Sequence, residues 1–194
     1  MNLNKNIKNS ILESSNVITN LVILSKEIEK SIRTIVKAVQ HGNKIILFGN
    51  GGSAADAQHI AAEFLGRFNL ERNSFPALAI TSNSSTITAL ANDYSYDVVF
   101  SRQCESIVKR GDVVIGISTS GNSINVKKGL FESKKRGAVT IGLLGNTGGE
   151  IKKIVDIPII INSNKTPKIQ EAHRVIYHII CDESEKILSK KVKK

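Results

Sequence analysis

Five short apolar runs, at 45–48, 77–80, 113–117, 139–144 and 157–161, recur through the chain with glycine or small polar residues at their ends and helix-length segments between them. Parallel strands need long crossovers, usually helical, so this alternation predicts βαβ units in an α/β fold: a five-stranded parallel sheet flanked by helices. The connecting helices are expected near 54–68, 85–91, 95–109 and 122–136, with a short one near 148–155. Ahead of the first run, Leu21, Leu24, Ile28, Ile32, Ile35, Val36 and Val39 recur at helical spacing, which predicts one or two helices over 6–40, stopped by His41-Gly42-Asn43. A last helix over 168–190 would align Ile169, Val175, Ile176, Ile179, Ile187 and Leu188 on one stripe. The 194 residues, 41% of them hydrophobic, show no low-complexity linker and no repeat. One domain is expected over 1–194, with an N-terminal helical segment at 1–41, an α/β core at 44–165 and the C-terminal helix at 168–190.

In open α/β sheets, ligands bind beyond the carboxyl ends of the strands. The first run ends in Gly49-Asn50-Gly51-Gly52-Ser53 and opens directly into a helix. A glycine-rich turn there leaves backbone N–H groups free at a positive helix N-terminus, which favours a phosphorylated ligand. The third run ends in Ser118-Thr119-Ser120-Gly121-Asn122-Ser123, where Asn122 or Ser123 would cap the next helix. One cap accounts for one hydroxyl but not for four, and a second phosphate-binding loop accounts for all of them. Two nucleotide readings fit less well. Ser53-Ala54-Ala55 stands where a P-loop needs Lys-Ser/Thr, and the second run ends in Thr81-Ser82-Asn83 without the acid that would hold a ribose. A phosphorylated sugar suits two serine- and glycine-rich loops better than a dinucleotide.

The formal net charge of +10 raises nucleic acid as a partner. Four of the lysines, Lys190, Lys191, Lys193 and Lys194, crowd the last five residues, and without them 23 basic face 17 acidic residues. With 5% aromatic residues and no tryptophan, no basic groove lined by stacking platforms is visible, so a field that attracts anionic metabolites is the better reading. No apolar run approaches the length of a membrane span, and the first residues carry no signal core, so a cytoplasmic location without membrane partners is expected. Cys104 and Cys181 match no metal or redox spacing and read as reduced structural thiols.

His59 and Glu63, at i and i+4 on the helix after the first loop, share one face, which suits two metal ligands or an acid/base pair. Such a pair is more often a surface hydrogen bond, and its place beside a phosphate loop gives it weight. On the last helix, Gln170 and His178 are two turns apart and can face one pocket, although a histidine beside Ile179 can equally be a core residue. Arg67, one turn beyond Glu63, either pairs with an acid, orients Glu63 or reaches a substrate oxygen.

The run from Gly49 through Ser53, Asp56 and His59 to Glu63 and Gly66-Arg67-Phe68 resembles the sugar isomerase (SIS) domain of bacterial phosphoheptose isomerases. Ala91-Asn92-Asp93, the 118–123 loop, and Ile169-Gln170-Glu171-Ala172-His173 followed by His178 extend the resemblance over nearly the whole chain. It implies a flavodoxin-like sheet, N-terminal helices packed in a homotetramer with sites at subunit interfaces, and one zinc ion (Zn2+) per subunit held by His59, Glu63, Gln170 and His178. Glutamine is an unusual zinc ligand, and chemistry alone would not select it. The implied reaction is aldose-ketose isomerisation of sedoheptulose 7-phosphate to D-glycero-D-manno-heptose 7-phosphate, the first step toward the heptose of lipopolysaccharide or capsule. Glu63 would move the carbon-bound proton and His178 would serve the other side, with zinc polarising the carbonyl and stabilising an enediolate. The implied substrate contacts are Asn50, Gly51, Gly52, Glu63, Asn92, Asp93, Ser118, Thr119, Ser120, Ser123 and Gln170, to which the loop chemistry adds Ser53. The competing reading is a SIS-fold binding protein that associates with the replication initiator. Such a protein shares the fold and has no need of Glu63, Gln170 and His178 together.

Overall fold

The computed structural model describes residues 2–190, and Lys191, Lys193 and Lys194 of the basic tail lie outside the described residues. Five parallel strands, β1 (Ile45–Gly49), β2 (Ala77–Ala79), β3 (Val113–Ser118), β4 (Val139–Gly145) and β5 (Ile157–Ile161), form one sheet in the order β2-β1-β3-β4-β5. Each begins on one of the five apolar runs. The helices are α1 (Leu3–Thr19), α2 (Ser25–Gln40), α3 (Gly52–Leu65), α4 (Ser84–Asp93), α5 (Ser101–Ile107), α6 (Ile124–Lys135) and α7 (Thr166–Lys190). The chain turns back on itself between β1 and β3, which are neighbours in register, with Ile45 opposite Val113 and Gly49 opposite Ile117. That places the switch point of the sheet at the ends of these two strands.

Successive strand residues point to opposite faces and divide the core in two. Ile45, Leu47, Ile115, Ile117 and Ile141 pack with Ile35, Ile60, Phe64, Ile176 and Tyr177 of α2, α3 and α7. On the other face, Ile46, Phe48, Val114 and Leu144 pack with Phe100, Cys104, Val126 and Leu130 of the α5–α6 layer. Cys104 and Cys181 are both free and buried. At the amino ends of the strands, the buried Asp112 accepts from the Lys109 and Lys44 backbone N–H groups at 2.8 and 3.1 Å, from Lys44 Nζ at 2.6 Å and from the Asn43 amide at 3.4 Å.

Three expected elements differ in form. The N-terminal helical stretch bends through a 3-10 turn at Asn20–Leu24. The helix expected over 95–109 is a 3-10 turn at Tyr96–Val98 followed by α5, because Ser95 is fully extended and Val99 and Phe100 turn inward into the core. The segment expected as helical near 148–155 is one 3-10 turn, Ile151–Lys153, since Gly148 and Gly149 both take positive φ. On α7 the buried face is not the expected stripe. Ile169, Ile176 and Leu188 are buried, Ile179 and Ile187 are exposed, and His173, Tyr177, Ser184 and Glu185 are buried in their place. No residue of α1 is buried, and its Leu3, Ile7 and Ile11 form an open apolar row. No described helix is long and apolar enough to cross a membrane.

Candidate functional site

The loop after β1 is shaped by its glycines. Gly51 has φ of 54° and ψ of −121°, a conformation that side-chain-bearing residues rarely adopt, and it stands at the start of α3 with no side chain capping the helix. Of the first-turn N–H groups of α3, those of Ser53, Ala54 and Ala55 turn back to the Asn50 and Gly51 carbonyls, which leaves that of Gly52 at the mouth of the loop, where the positive helix end favours an anion. Gly52 is glycine for a different reason: a Cβ there would run into the Gln170 amide from α7. Asn50 is held from the side. It exchanges two 2.9 Å hydrogen bonds with the buried Asn125 amide of α6, and its Oδ1 accepts a further bond from the Tyr96 hydroxyl at 3.0 Å. Both ends of the Asn50 side chain are thus engaged within the protein, and the loop backbone is left to face a ligand.

The second loop faces the first across the switch point. Ser123 stands at the N-cap of α6, yet its hydroxyl makes no capping bond and lies 2.9 Å from the buried Ser118 Oγ. Ser120 Oγ is 3.4 Å from Ser118 Oγ and accepts the Asn122 N–H at 3.1 Å. Asn122 accepts the Glu150 N–H and so does not cap either, which corrects the expected cap. The cost is a helix start without an N-cap side chain, and the gain is a cluster of hydroxyls at that start. Thr119 lies in the same loop, where its carbonyl accepts from Asn146. Ser53 is buried at the foot of α3. Asn92 and Asp93 close α4, hydrogen-bonded to one another at 2.9 Å, and the segment reaches the first loop through Tyr96.

His59, Glu63 and His178 converge. His59 Nε2 is 2.8 Å from Glu63 Oε1, and a ligand atom of His178 joins them so that all three lie within 4.8 Å of one another. The His59 and His178 rings are 5.4 Å apart, edge to face, and Tyr177 and Phe68 close the other sides of the His178 ring. Burial, and then the neighbouring His59 imidazole, push His178 below the usual histidine range, so it is a neutral base near pH 7. The Tyr177 hydroxyl is 3.4 Å from both His59 Nδ1 and the buried Asp56 carboxylate, which also meets Arg174 at 3.2 Å. Burial, then Asp56, raise that hydroxyl to about 12, so it stays protonated.

Two imidazoles and a carboxylate with an open side are the donor set of a catalytic zinc site, and these three residues fit the ion. Gln170 is placed otherwise. Its amide lies over Gly52, about 10 Å along the α3 axis before His59, beside the loop after β1. Arg67 pairs with the exposed Glu71 at 3.7 Å. Asn125 and Tyr96 had no signal in the sequence, because their partner Asn50 is 75 and 46 residues away.

Residues 12–145 match the family model described as the SIS domain. The chain is 53% identical over 159 residues to the phosphoheptose isomerase of Citrifermentans bemidjiense, covering 82% of this chain and 83% of that one. Among solved structures, the phosphoheptose isomerase of Neisseria gonorrhoeae superposes with a TM-score of 0.90 at 34% identity, covering 95% of this chain and 99% of the other. That of Francisella tularensis does so at 0.92 and 29%, covering 96% and 100%.

Proposed function

Because the chain belongs to the SIS-domain family of phosphoheptose isomerases, we propose that this isomerase converts sedoheptulose 7-phosphate to D-glycero-D-manno-heptose 7-phosphate through an enediolate. The observation that carries the reading is the convergence of Glu63 and His178, from two different helices, Glu63 on the helix that the first glycine-rich loop opens.

The phosphate is received at the positive N-termini of α3 and α6 and by the hydroxyls of Ser53, Ser118, Ser120 and Ser123, with Thr119 in the same loop. Anchored there, the sugar lies beside Gln170 at Gly52. Glu63 takes the proton from the carbon beside the carbonyl, and the electron pair left behind forms the enediolate. His178, neutral and edge-on to His59, passes a proton between the two substrate oxygens. Glu63 then returns its proton to the neighbouring carbon, which completes the transfer with no net gain or loss. Zinc, held by His59, Glu63 and His178, would supply Lewis-acid polarisation of the substrate carbonyl. Gln170 serves the substrate from the loop side in this reading, and Asn92 and Asp93 form the outer rim.

The open apolar row of α1 suits burial against other copies in a homotetramer, and the protein is assigned to the cytoplasm. Its product would supply heptose for lipopolysaccharide or capsule. A coupled assay of the purified protein with sedoheptulose 7-phosphate, with and without added zinc, tests the assignment. Turnover that falls on chelation and returns with zinc is the expected result, and no turnover under any metal supplement would sink it.

A further inference from the structure

The carboxyl end of α3 lacks the usual glycine cap. Gly66 follows the helix with φ of −81°, so the left-handed turn that would satisfy the last carbonyls is missing. Arg72 takes over that task from outside the helix. Its guanidinium donates to the carbonyls of Glu63, Phe64 and Gly66, each at 2.8 Å, and to that of Asn73 at 3.0 Å. It also lies 4.0 Å from the centre of the Phe75 ring. Its Nε reaches the Glu185 carboxylate of α7 at 2.9 Å, and both side chains are almost wholly buried.

Glu185 is filled in turn. Besides Arg72, it accepts the backbone N–H groups of Phe68, Asn69 and Leu70 at 2.8, 2.7 and 2.8 Å. These bonds fix the loop after α3 to α7, and the same loop lays Phe68 against the His178 ring. Glu185 lies seven residues beyond His178, two turns along α7 and on the same side. One continuous path therefore runs from the Glu63 carbonyl through Arg72 and Glu185 into the helix that carries His178.

We propose that Arg72 and Glu185 are positioning residues for the isomerisation, a clamp that sets the spacing between Glu63 and His178. The proposal rests on the assignment of those two as the acid/base pair. A buried ion pair is weak evidence for a stabilising role alone, and this one is spent on the helix end that bears the base. Displacing a reacting group by about 1 Å can cost on the order of a hundredfold in rate, so the clamp's effect belongs in kcat.

The test uses Arg72→Lys, which keeps the cation but loses the planar fork, and Glu185→Gln, which keeps the shape and loses the charge. Steady-state kinetics are measured well below each variant's melting midpoint, with helical circular dichroism as the check of fold. We expect kcat to fall by about 10- to 100-fold with KM almost unchanged, and Arg72→Lys to add little to the loss already caused by Glu63→Gln. Should Glu185→Gln fail to fold, Arg72→Lys carries the test by itself. Folded variants with a lowered melting midpoint but a normal kcat would overturn the clamp, as would a loss confined to KM. Near-normal turnover by Glu63→Gln would instead overturn the acid/base assignment, so the two failures are distinguishable.

Discussion

His59 Nε2 lies 2.8 Å from Glu63 Oε1, one turn apart on α3, while the opposite ring nitrogen of His59 faces the Tyr177 hydroxyl at 3.4 Å. The ring is therefore held at both ends, and Glu63 has a partner that keeps its carboxylate aimed at His178. Replacing Glu63 by Gln preserves size and one oxygen but removes the carboxylate proposed as the base. We expect kcat to fall by about 10²- to 10⁴-fold while the sugar phosphate still binds, read by steady-state kinetics and by equilibrium binding of the substrate. Turnover by the unmodified protein in deuterated water should place deuterium on the carbon beside the product carbonyl.

Gly52→Ala puts a methyl group against the Gln170 amide. The loop must shift or Gln170 must leave, and the expected cost to sugar-phosphate affinity is about 1–3 kcal/mol. Gln170→Ala in the same chain opens the space, so the double variant should bind better than the sum of the two single losses predicts. Strict additivity, measured by calorimetric titration, would count against the contact.

Asn125→Ala removes the amide that pairs with Asn50 in both directions. Asn50 is then free to swing away, and the backbone of the first loop loses its side support. The expected loss is roughly 1–3 kcal/mol in substrate affinity, seen as a rise in KM with a smaller change in kcat. Tyr96→Phe, which removes one bond to Asn50, should produce a milder form of the same change.

At the far end of the sheet, burial alone would push the Asp112 carboxyl up, but its bonds to Lys44 and to the Lys109 and Lys44 N–H groups hold it below the usual carboxylate range. A carboxylate whose folded pKa is depressed contributes stability that is complete above its unfolded pKa, near 3.9, and is lost as pH falls through the folded value. Asp112→Asn should therefore cost stability at pH 7, by roughly 1.5–3 kcal/mol for a charge-assisted hydrogen bond, and progressively less as pH falls below about 4. Urea midpoints measured across that range check the sign.

The central strands were legible because they are covered on both faces, so a run such as 113–117 is buried throughout and stops at the small polar residues of the loop that follows. The two loops were legible for the same reason, since small polar residues follow directly on those runs. The face of α7 was not. Helices pack around it, and residues such as Glu185 and His173 are buried there because distant partners satisfy them: three loop N–H groups and Arg72 in one case, the Leu144 carbonyl in the other. Apolar periodicity cannot register a buried carboxylate. Arg72 and Glu185 are 113 residues apart, and neither stands in a motif, so the link between them exists only in three dimensions.

Gly49 and Ile117 face each other in the ladder between β1 and β3, immediately before the glycine-rich loop and the serine-rich loop. The cradle is thus rooted in paired backbone, and its halves cannot hinge apart without breaking the centre of the sheet. The exposed turn around Tyr94–Tyr96 is joined differently: its Tyr96 hydroxyl holds Asn50 by one side-chain bond, which breaks far more cheaply than a strand can be peeled away.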